Sequence, residues 1–282
     1  MKVVAKPAGE VFHGEAVQER TVPSGAARAS RGPPERTVLI VGRILLVVAI
    51  LALWQFADER LVPDFVISSP LNVAARLAQD LQRPTIWHDI ATTCEEWIMG
   101  YALGAVVGIV LGFLLGLNRM VRGIFEPVLS AVNAIPKVAL APLFLIAMGL
   151  GPASKVAIAA MMVALLMFYN TLGGILVAPR PLIDVLRVMG ARRGTIVRKV
   201  LLPFLSTYII AGLKSSVPLA IVGVIVGEFI GADAGIGFYI RQATSLFDSA
   251  GLFSGVVILI VLTLLGNGLV QLLELRLLRW QR

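Results

Sequence analysis

Six mostly apolar stretches, each about 20 residues long, recur along this chain and restrict its fold more than any other feature. A run of that length is what an α-helix needs to cross the hydrocarbon core of a bilayer. Hydrophobic residues make up 57% of the chain and charged residues only 15%, whereas a soluble domain has about 25% charged residues. The sequence therefore predicts an all-α integral membrane protein with about six transmembrane helices. The stretches lie at 38–56, 96–117, 125–150, 156–177, 204–230 and 252–273.

Basic residues are concentrated on one side of this predicted membrane protein. They occur in the N-terminal tail, between the second and third stretches, between the fourth and fifth, and at the C-terminus. Because Lys and Arg collect in cytoplasmic loops, the pattern predicts a multi-pass protein of the bacterial inner membrane with both termini in the cytoplasm. This topology accounts for the net charge of +8, and nucleic-acid binding is not expected.

The beginning of the chain differs from the rest. Residues 1–36 are rich in Pro, Gly, Arg and Ala without a sustained apolar pattern, which predicts a disordered cytoplasmic tail. Residues 37–69 are expected to form the first transmembrane helix and an outer linker, and residues 70–282 the main transmembrane domain. Ser69 and Pro70 are typical of a helix N-terminus, so a short helix is expected to begin there on the outer surface.

Glycines recur at every fourth position of the second apolar stretch. Such a row forms a ridge without side chains, along which another helix can approach closely. The ridge could pack within the chain or against a second subunit, and we favour packing within the chain. The glycines are Gly100, Gly104, Gly108, Gly112 and Gly116.

One connection between apolar stretches, residues 179–203, is both basic and amphipathic. Pro181 is typical of a helix start and Gly190 of a helix end. Apolar residues at helical spacing then continue to Pro203, where the next transmembrane helix is expected to start. On physical grounds alone, this segment could lie on anionic lipid or bind a cytoplasmic partner. The basic residues outside its apolar stripe are Arg192, Arg193, Arg198 and Lys199.

This connection resembles the cytoplasmic signature loop of bacterial ABC importer permeases, the EAA loop. The family pattern is Glu-Ala-Ala, three residues, Gly, nine residues, an aliphatic residue, any residue and Leu-Pro. Further stretches, among them "NAIPKVALAPLFLIAMGLG" and "VGEFIGADAGIGFYI", resemble the nitrate, sulfonate and taurine branch of these permeases. The matching loop positions are Gly190, Val200, Leu202 and Pro203, while Asp184, Val185 and Leu186 replace Glu-Ala-Ala.

The resemblance implies a type I ABC importer permease fold in which residues 179–203 form a cytoplasmic coupling-helix loop. The chain has no G-x-x-x-x-G-K-[ST] phosphate-binding loop, so ATP and its Mg²⁺ are expected on separate ATPase subunits. The family further implies a second permease copy, forming a homodimer, and an extracytoplasmic solute-binding protein. The residues expected to couple the chain to the ATPase are Asp184, Leu186, Gly190, Arg192, Arg193 and Pro203.

Ionisable residues within the apolar stretches are candidates for the substrate path. Lys137 lies in the third stretch, where a lysine facing lipid would cost about 2.5 to 3.5 kcal/mol. It is therefore expected to face protein or water. An internal salt bridge or a snorkelling contact would equally explain the ionisable residues of the fifth stretch. The predicted path residues are Asn133, Lys137, Lys214 and Glu228.

The charged residues of the predicted path point to two different substrate classes. Lysines in the path would suit a small anion such as an aliphatic sulfonate, taurine or nitrate. Glu95, Glu96 and Glu228 favour instead a neutral or cationic vitamin precursor, and an ATP-independent secondary transporter is a more distant alternative. An enzyme is not expected, because no cluster of His, Asp, Cys or Ser stands at catalytic spacing. The single Cys94 and the two histidines indicate no metal site.

Overall fold

The computed structural model describes residues 35–60 and 68–277, which form helices and short connections without a β-strand. Three segments lie outside the described residues: 1–34 of the predicted tail, 61–67 of the predicted outer linker, and 278–282. The chain divides into two compact units, Met1–Ala49 and Ile50–Arg282.

The described part of the first unit is the beginning of helix α1, Glu35–Arg60. The side chains of residues 38–49 are all exposed. The segment Val38–Phe56 of this helix is long and apolar enough to cross a membrane, as the sequence predicts. An exposed surface of apolar side chains suits a lipid environment, because lipid keeps this apolar surface out of water.

The second unit consists of helices joined by short turns. Four of its segments are long and apolar enough to cross a membrane: Pro84–Leu117, Pro152–Val177, Arg193–Gly231 and Ser249–Arg276. With α1, they confirm five of the six predicted transmembrane helices. After α1 the order is α2 (Pro70–Asp80), α3 (Pro84–Leu117), α4 (Arg119–Ala134), a 3-10 turn (Lys137–Leu140), α5 (Ala141–Met148), α6 (Pro152–Val177), α7 (Arg180–Val188), α8 (Arg193–Ile196), a π-helical turn (Val197–Leu201), α9 (Leu202–Gly231), α10 (Ile236–Ser245) and α11 (Ser249–Leu277).

The third apolar stretch is not one continuous helix. It forms α4 and the 3-10 turn plus α5, which are bent by 86° relative to each other. Pro136 lies at the bend and Pro142 in the first turn of α5. Proline lacks an amide hydrogen and clashes with the preceding helical turn, so a regular helix cannot pass through this segment. The third predicted transmembrane stretch is therefore a broken helix rather than a continuous one.

Helices α3, α6 and α9 form the centre of the second unit. Val163 and Met167 of α6 share a buried apolar cluster with Val217, Ala220 and Val224 of α9, and all five side chains are fully buried. Close van der Waals packing of this kind drives helix association in membranes, where lipid is as apolar as the side chains. This three-helix core positions the groups described below.

The glycine row of α3 lies along α6. A Cβ atom on Gly104 would lie 2.4 Å from the carbonyl oxygen of Ala160, and one on Gly108 would lie 2.4 Å from that of Ala164. Backbone atoms cannot move aside cheaply, so no side chain fits at these positions. The ridge is thus used for packing between two helices of the same chain. The other members that meet α6 atoms in this way are Gly100, Gly112 and Gly116.

Helix α2 begins as the sequence predicts, because Ser69 Oγ accepts a hydrogen bond from the amide of Asn72 (3.2 Å). Its last residue, the buried Asp80, accepts hydrogen bonds from the Tyr239 hydroxyl (2.6 Å) and the Ser254 hydroxyl (2.8 Å). Burial and the neighbouring Asp80 carboxylate raise the pKa of Tyr239 to about 12. The phenol therefore keeps its proton at neutral pH and holds α2 against α10, while Ser254 holds it against α11.

Candidate coupling loop and buried charges

The turn after α7 is held by backbone hydrogen bonds. The amide of Gly190 donates to the Arg187 carbonyl (3.0 Å), and the amide of Ala191 donates to the Leu186 carbonyl (2.9 Å). These two hydrogen bonds are those of a Schellman helix end, in which the residue that donates the first bond must have a left-handed backbone conformation. Gly190 supplies it with φ +78°, and nothing lies within 4 Å of the place where its Cβ would be. The need for glycine here is conformational rather than steric.

Most of the α7 surface is exposed. Val188, the last residue of α7, is 90% exposed, and Met189, which caps the helix, is 76% exposed. Asp184 forms an ion pair with Arg187 (3.1 Å), and both side chains lie mostly in solvent. The helix therefore exposes apolar and charged groups side by side.

The second half of the segment is helical but irregular. Residues Arg193–Gly231 continue in one helical direction, with a π-helical turn at Val197–Leu201 before α9. The amide of Leu202 donates to the Val197 carbonyl, five residues back. Pro203 has no amide hydrogen and its ring crowds the preceding turn, which accounts for the wider turn at this place. Helix α9 begins at Leu202 with Pro203 in its first turn, close to the predicted start, but the helical direction continues into it from Arg193 without a break.

In this segment the apolar side chains are buried and the basic side chains are exposed, as the sequence pattern indicates. Ile196 and Val200 are buried. Arg192 and Arg193 are exposed, as are Arg198 and Lys199. The apolar stripe thus anchors the segment to the helices, and the basic residues lie on the outside.

Lys137 lies at the bend between α4 and α5 rather than in the middle of a helix. Its Nζ donates hydrogen bonds to the carbonyl of Asn133 (3.3 Å) and to Asn133 Oδ1 (3.0 Å). Two of the four predicted path residues therefore contact each other. Both are accessible in the single chain.

Lys214 forms an ion pair with Glu274 of α11, and the two side chains are 39% and 29% exposed. This is the salt-bridge alternative considered from the sequence. An ion-paired lysine attracts an anion much less than an unpaired one does, because its charge is already compensated.

Glu228 is fully buried and holds the turn between α9 and α10. Its carboxylate accepts hydrogen bonds from the Thr93 hydroxyl (2.7 Å) and from the amide of Gly237 (2.6 Å). Asp89 accepts a further bond from the amide of Gly235 (2.8 Å). A Cβ on Gly235 would lie 2.2 Å from Glu228 Oε1, so the carboxylate occupies the space that a side chain would need. The contacts of Glu228 are therefore those of a structural anchor.

The sequence reasoning missed the partner of Glu96. In the structure Lys155 Nζ lies 3.0 Å from Glu96 Oε1, and the side chains are only 3% and 2% exposed. The signal was present, since ionisable residues inside a membrane helix pair with one another. Which pair forms depends on the packing of α3 against α6. Helices that enclose paired charges, together with an exposed basic loop, are typical of an integral membrane transport subunit.

Comparison with known protein families identifies the family to which this membrane protein belongs. Residues 104–279 match the model of the binding-protein-dependent transport system inner membrane component. The match covers more than half of the chain, and the chain belongs to this family. It is thus an ABC transporter permease, a transport component rather than an enzyme. Membership implies ATPase subunits and a substrate-binding protein as partners.

Relatives and a solved structure agree with this assignment. The riboflavin transport system permease protein RibX of Chloroflexus aurantiacus is 36% identical over 219 residues, 78% of this chain and 82% of the relative. The putative aliphatic sulfonates transport permease protein SsuC of Bacillus subtilis is 27% identical over 239 residues, 84% of this chain and 87% of the relative. An inward-facing structure of the MetNI methionine ABC transporter has a TM-score of 0.55 at 20% identity, covering 67% of this chain and 97% of that chain. The fold is that of a type I importer permease.

Proposed function

We propose that this chain forms the translocation path of an ABC importer and that residues 179–203 couple the path to the ATPase. The observation that carries this proposal is the hydrogen-bonded turn at Gly190, which joins the exposed helix α7 to α8. The positive φ of Gly190, rather than close packing around it, makes glycine necessary at this turn. An exposed surface joined by a hydrogen-bonded turn to the transmembrane helices is what a partner needs in order to transmit motion to them. ATP and Mg²⁺ are bound by the ATPase, and this chain supplies no catalytic residue.

The charge at the two ends of the helix bundle supports a cytoplasmic location for the loop. The coupling-loop end, formed by residues 116–122 and 175–201, has a cavity whose ionisable lining residues are five arginines and Asp184. At the α10 end, formed by residues 76–89 and 233–246, the cavity lining includes Asp80, Asp89 and Asp233 besides basic residues. The positive-inside rule assigns the arginine-rich end of this unit to the cytoplasm.

A second copy of the chain completes the proposed path. No side chain of α4 is buried within the single chain. The polar contact between Lys137 and Asn133 lies at the end of this mostly exposed helix. Groups of this kind face protein or water rather than lipid. A homodimer that brings the two broken helices together would enclose them.

For the substrate, we favour a neutral heterocycle of the flavin type over a small anion. Unpaired lysines at positions 137 and 214 would favour an anion, yet Lys214 is ion-paired. Lys137 remains, with an asparagine as its partner. The similarity to the riboflavin permease, at 36% identity, points in the same direction. An aliphatic sulfonate is the second candidate, which Lys137 and the similarity to the sulfonate permease support.

The test is uptake into proteoliposomes that contain this chain, its ATPase and its solute-binding protein. We expect riboflavin uptake that requires ATP and is blocked by vanadate. Uptake of taurine or an alkanesulfonate instead would reject the favoured substrate and leave the importer assignment intact. Uptake without the ATPase would contradict the importer assignment itself, because a secondary transporter needs no ATP hydrolysis.

A further inference from the structure

A cavity of about 1170 Å³ lies at the coupling-loop end, between the transmembrane helices and the loop. Its walls come from the ends of α3 and α6, the beginning of α4, and the helices α7 and α8. Among its described lining residues, Asp184 is the only acidic one. The arginines of the lining are Arg119, Arg122, Arg180, Arg187 and Arg193.

Most of this positive charge is not compensated within the described part of the chain. Arg187 is paired with Asp184. The four other arginines form no ion pair with any described residue. Arginines that share one cavity repel each other, and the repulsion is relieved when an anion enters between them. Phosphate, like carboxylate, suits the guanidinium group through paired hydrogen bonds.

The remaining lining is apolar and lies at the membrane boundary. Leu117 is the last residue of α3, and Leu176 belongs to the last turn of α6. Both helices are long apolar spans, so these residues mark the level at which the helices leave the hydrocarbon core. Ile196 and Leu201 continue the apolar lining on the loop side. A ligand of this cavity therefore contacts arginines with one part and membrane-level apolar side chains with another.

We infer that the cavity binds an anionic phospholipid, with its phosphate among the arginines and its acyl chains along α3 and α6. Basic pockets between transmembrane helices on the cytoplasmic side are suited to anionic lipid headgroups. A soluble phosphate compound would use the arginines but not Leu117 and Leu176. The ATPase would reach the parts of the loop outside the cavity lining, such as Val188, Met189 and Arg192, whereas Asp184 and Arg193 also line the cavity.

The bound lipid links the coupling loop to α4. Arg119 and Arg122 belong to α4, while Arg180 belongs to α7 and Arg193 to α8. A headgroup between these arginines holds the loop at a set distance from the membrane helices. The lipid composition of the membrane thus influences how firmly the loop is held. This inference does not depend on the substrate or on transport, since it concerns binding to the permease alone.

The experiment measures lipid retention by the purified full-length chain, using native mass spectrometry in mixtures of phosphatidylglycerol and phosphatidylcholine. The test variant is Arg119→Gln with Arg122→Gln, which leaves residues 179–203 unchanged. We expect about 30-fold weaker phosphatidylglycerol binding, because each basic residue near an anionic lipid contributes about fivefold. The matched control, Arg43→Gln with Arg276→Gln, removes the same charge outside the cavity and should bind as the parent does. Unchanged elution and helix content of both variants show that they are folded.

Three results would overturn the inference. Equal phosphatidylglycerol binding by the test variant and the parent would show that the arginines do not hold lipid. Displacement of the lipid by millimolar inorganic phosphate would show a phosphate site that needs no acyl chain. Loss of the lipid when the ATPase subunit is added would show that the cavity belongs to the docking interface.

Discussion

Replacing Gly108 with leucine tests the close packing of α3 against α6. A Cβ at this position would lie 2.4 Å from the Ala164 carbonyl oxygen and 2.6 Å from Met167 Cβ. An ordinary contact requires about 1 Å more, and the first of these neighbours is helix backbone, so the two helices must separate. Overpacking of this kind costs about 1 to 3 kcal/mol. We expect the upper part of that range, because leucine adds three further carbon atoms beyond Cβ.

The control is Gly173→Leu on the other helix of the same pair. Nothing lies within 4 Å of a Cβ at Gly173, so this variant gains helix propensity without a collision. Replacing glycine in a helix contributes about 1 kcal/mol of stability at both positions, and the difference between the variants therefore isolates the steric cost. The assay is unfolding in mixed micelles by sodium dodecyl sulfate, followed by circular dichroism. Equal stability of the two variants would refute packing of the glycine row within the chain.

Three further predictions follow from the buried and exposed charges. Lys155→Met should destabilise the protein by about 3 to 5 kcal/mol in the same assay, because it leaves Glu96 buried without its partner, and adding Glu96→Gln should restore most of that loss. Lys137→Met should leave assembly intact and, if the substrate is an anion, raise the KM of uptake, whereas unchanged uptake is expected for a neutral heterocycle. Tyr239→Phe removes one of the hydrogen bonds to the buried Asp80 and should lower the free energy of unfolding by about 1 to 2 kcal/mol at pH 7. The same loss is expected at pH 9, because the phenol of the parent is protonated at both pH values. A loss that disappears at pH 9 would contradict the Tyr239 pKa of about 12.

Features that depend on nearby residues were predictable from the sequence. The length of an apolar run determines whether a helix can span a bilayer, and five spans are confirmed on that basis. The helix start at Ser69 and the helix end at Gly190 follow from local hydrogen bonding and backbone conformation. These properties require no knowledge of the tertiary structure.

Features that depend on distant residues were not predictable in the same way. Lys155 pairs with Glu96, 59 positions away, and Lys214 with Glu274, 60 positions away. From the sequence alone, either lysine could line the substrate path or form an ion pair, and only the packing of the helices decides between these two arrangements. Proline at position 136 explains why the third stretch is interrupted, but it does not determine the 86° angle between the two parts. Helix α10 was missed because its ten residues are too few for a transmembrane pattern.

The role of Asp184, Leu186, Arg192, Arg193 and Pro203 in coupling remains a prediction. The structure places all of them on or beside the α7–α8 segment, but the ATPase that they would contact is a separate chain. Replacing both Arg192 and Arg193 with glutamate should weaken ATPase copurification, through lost charge complementarity at the interface. The membrane helices should be unaffected, because both side chains are exposed.

The most direct test of coupling compares Gly190→Val with Gly194→Val in proteoliposomes containing the ATPase and the solute-binding protein. Both sites are exposed and have no neighbour within 4 Å of a Cβ, but only Gly190 has a positive φ. A side chain in that conformation costs about 1 to 2 kcal/mol, so the turn is expected to change and misalign α7 against the ATPase. ATP hydrolysis stimulated by the binding protein should fall about 5- to 30-fold in Gly190→Val and stay near the parent rate in Gly194→Val. Parental stimulation in both variants would contradict the assignment of residues 179–203 as the coupling loop.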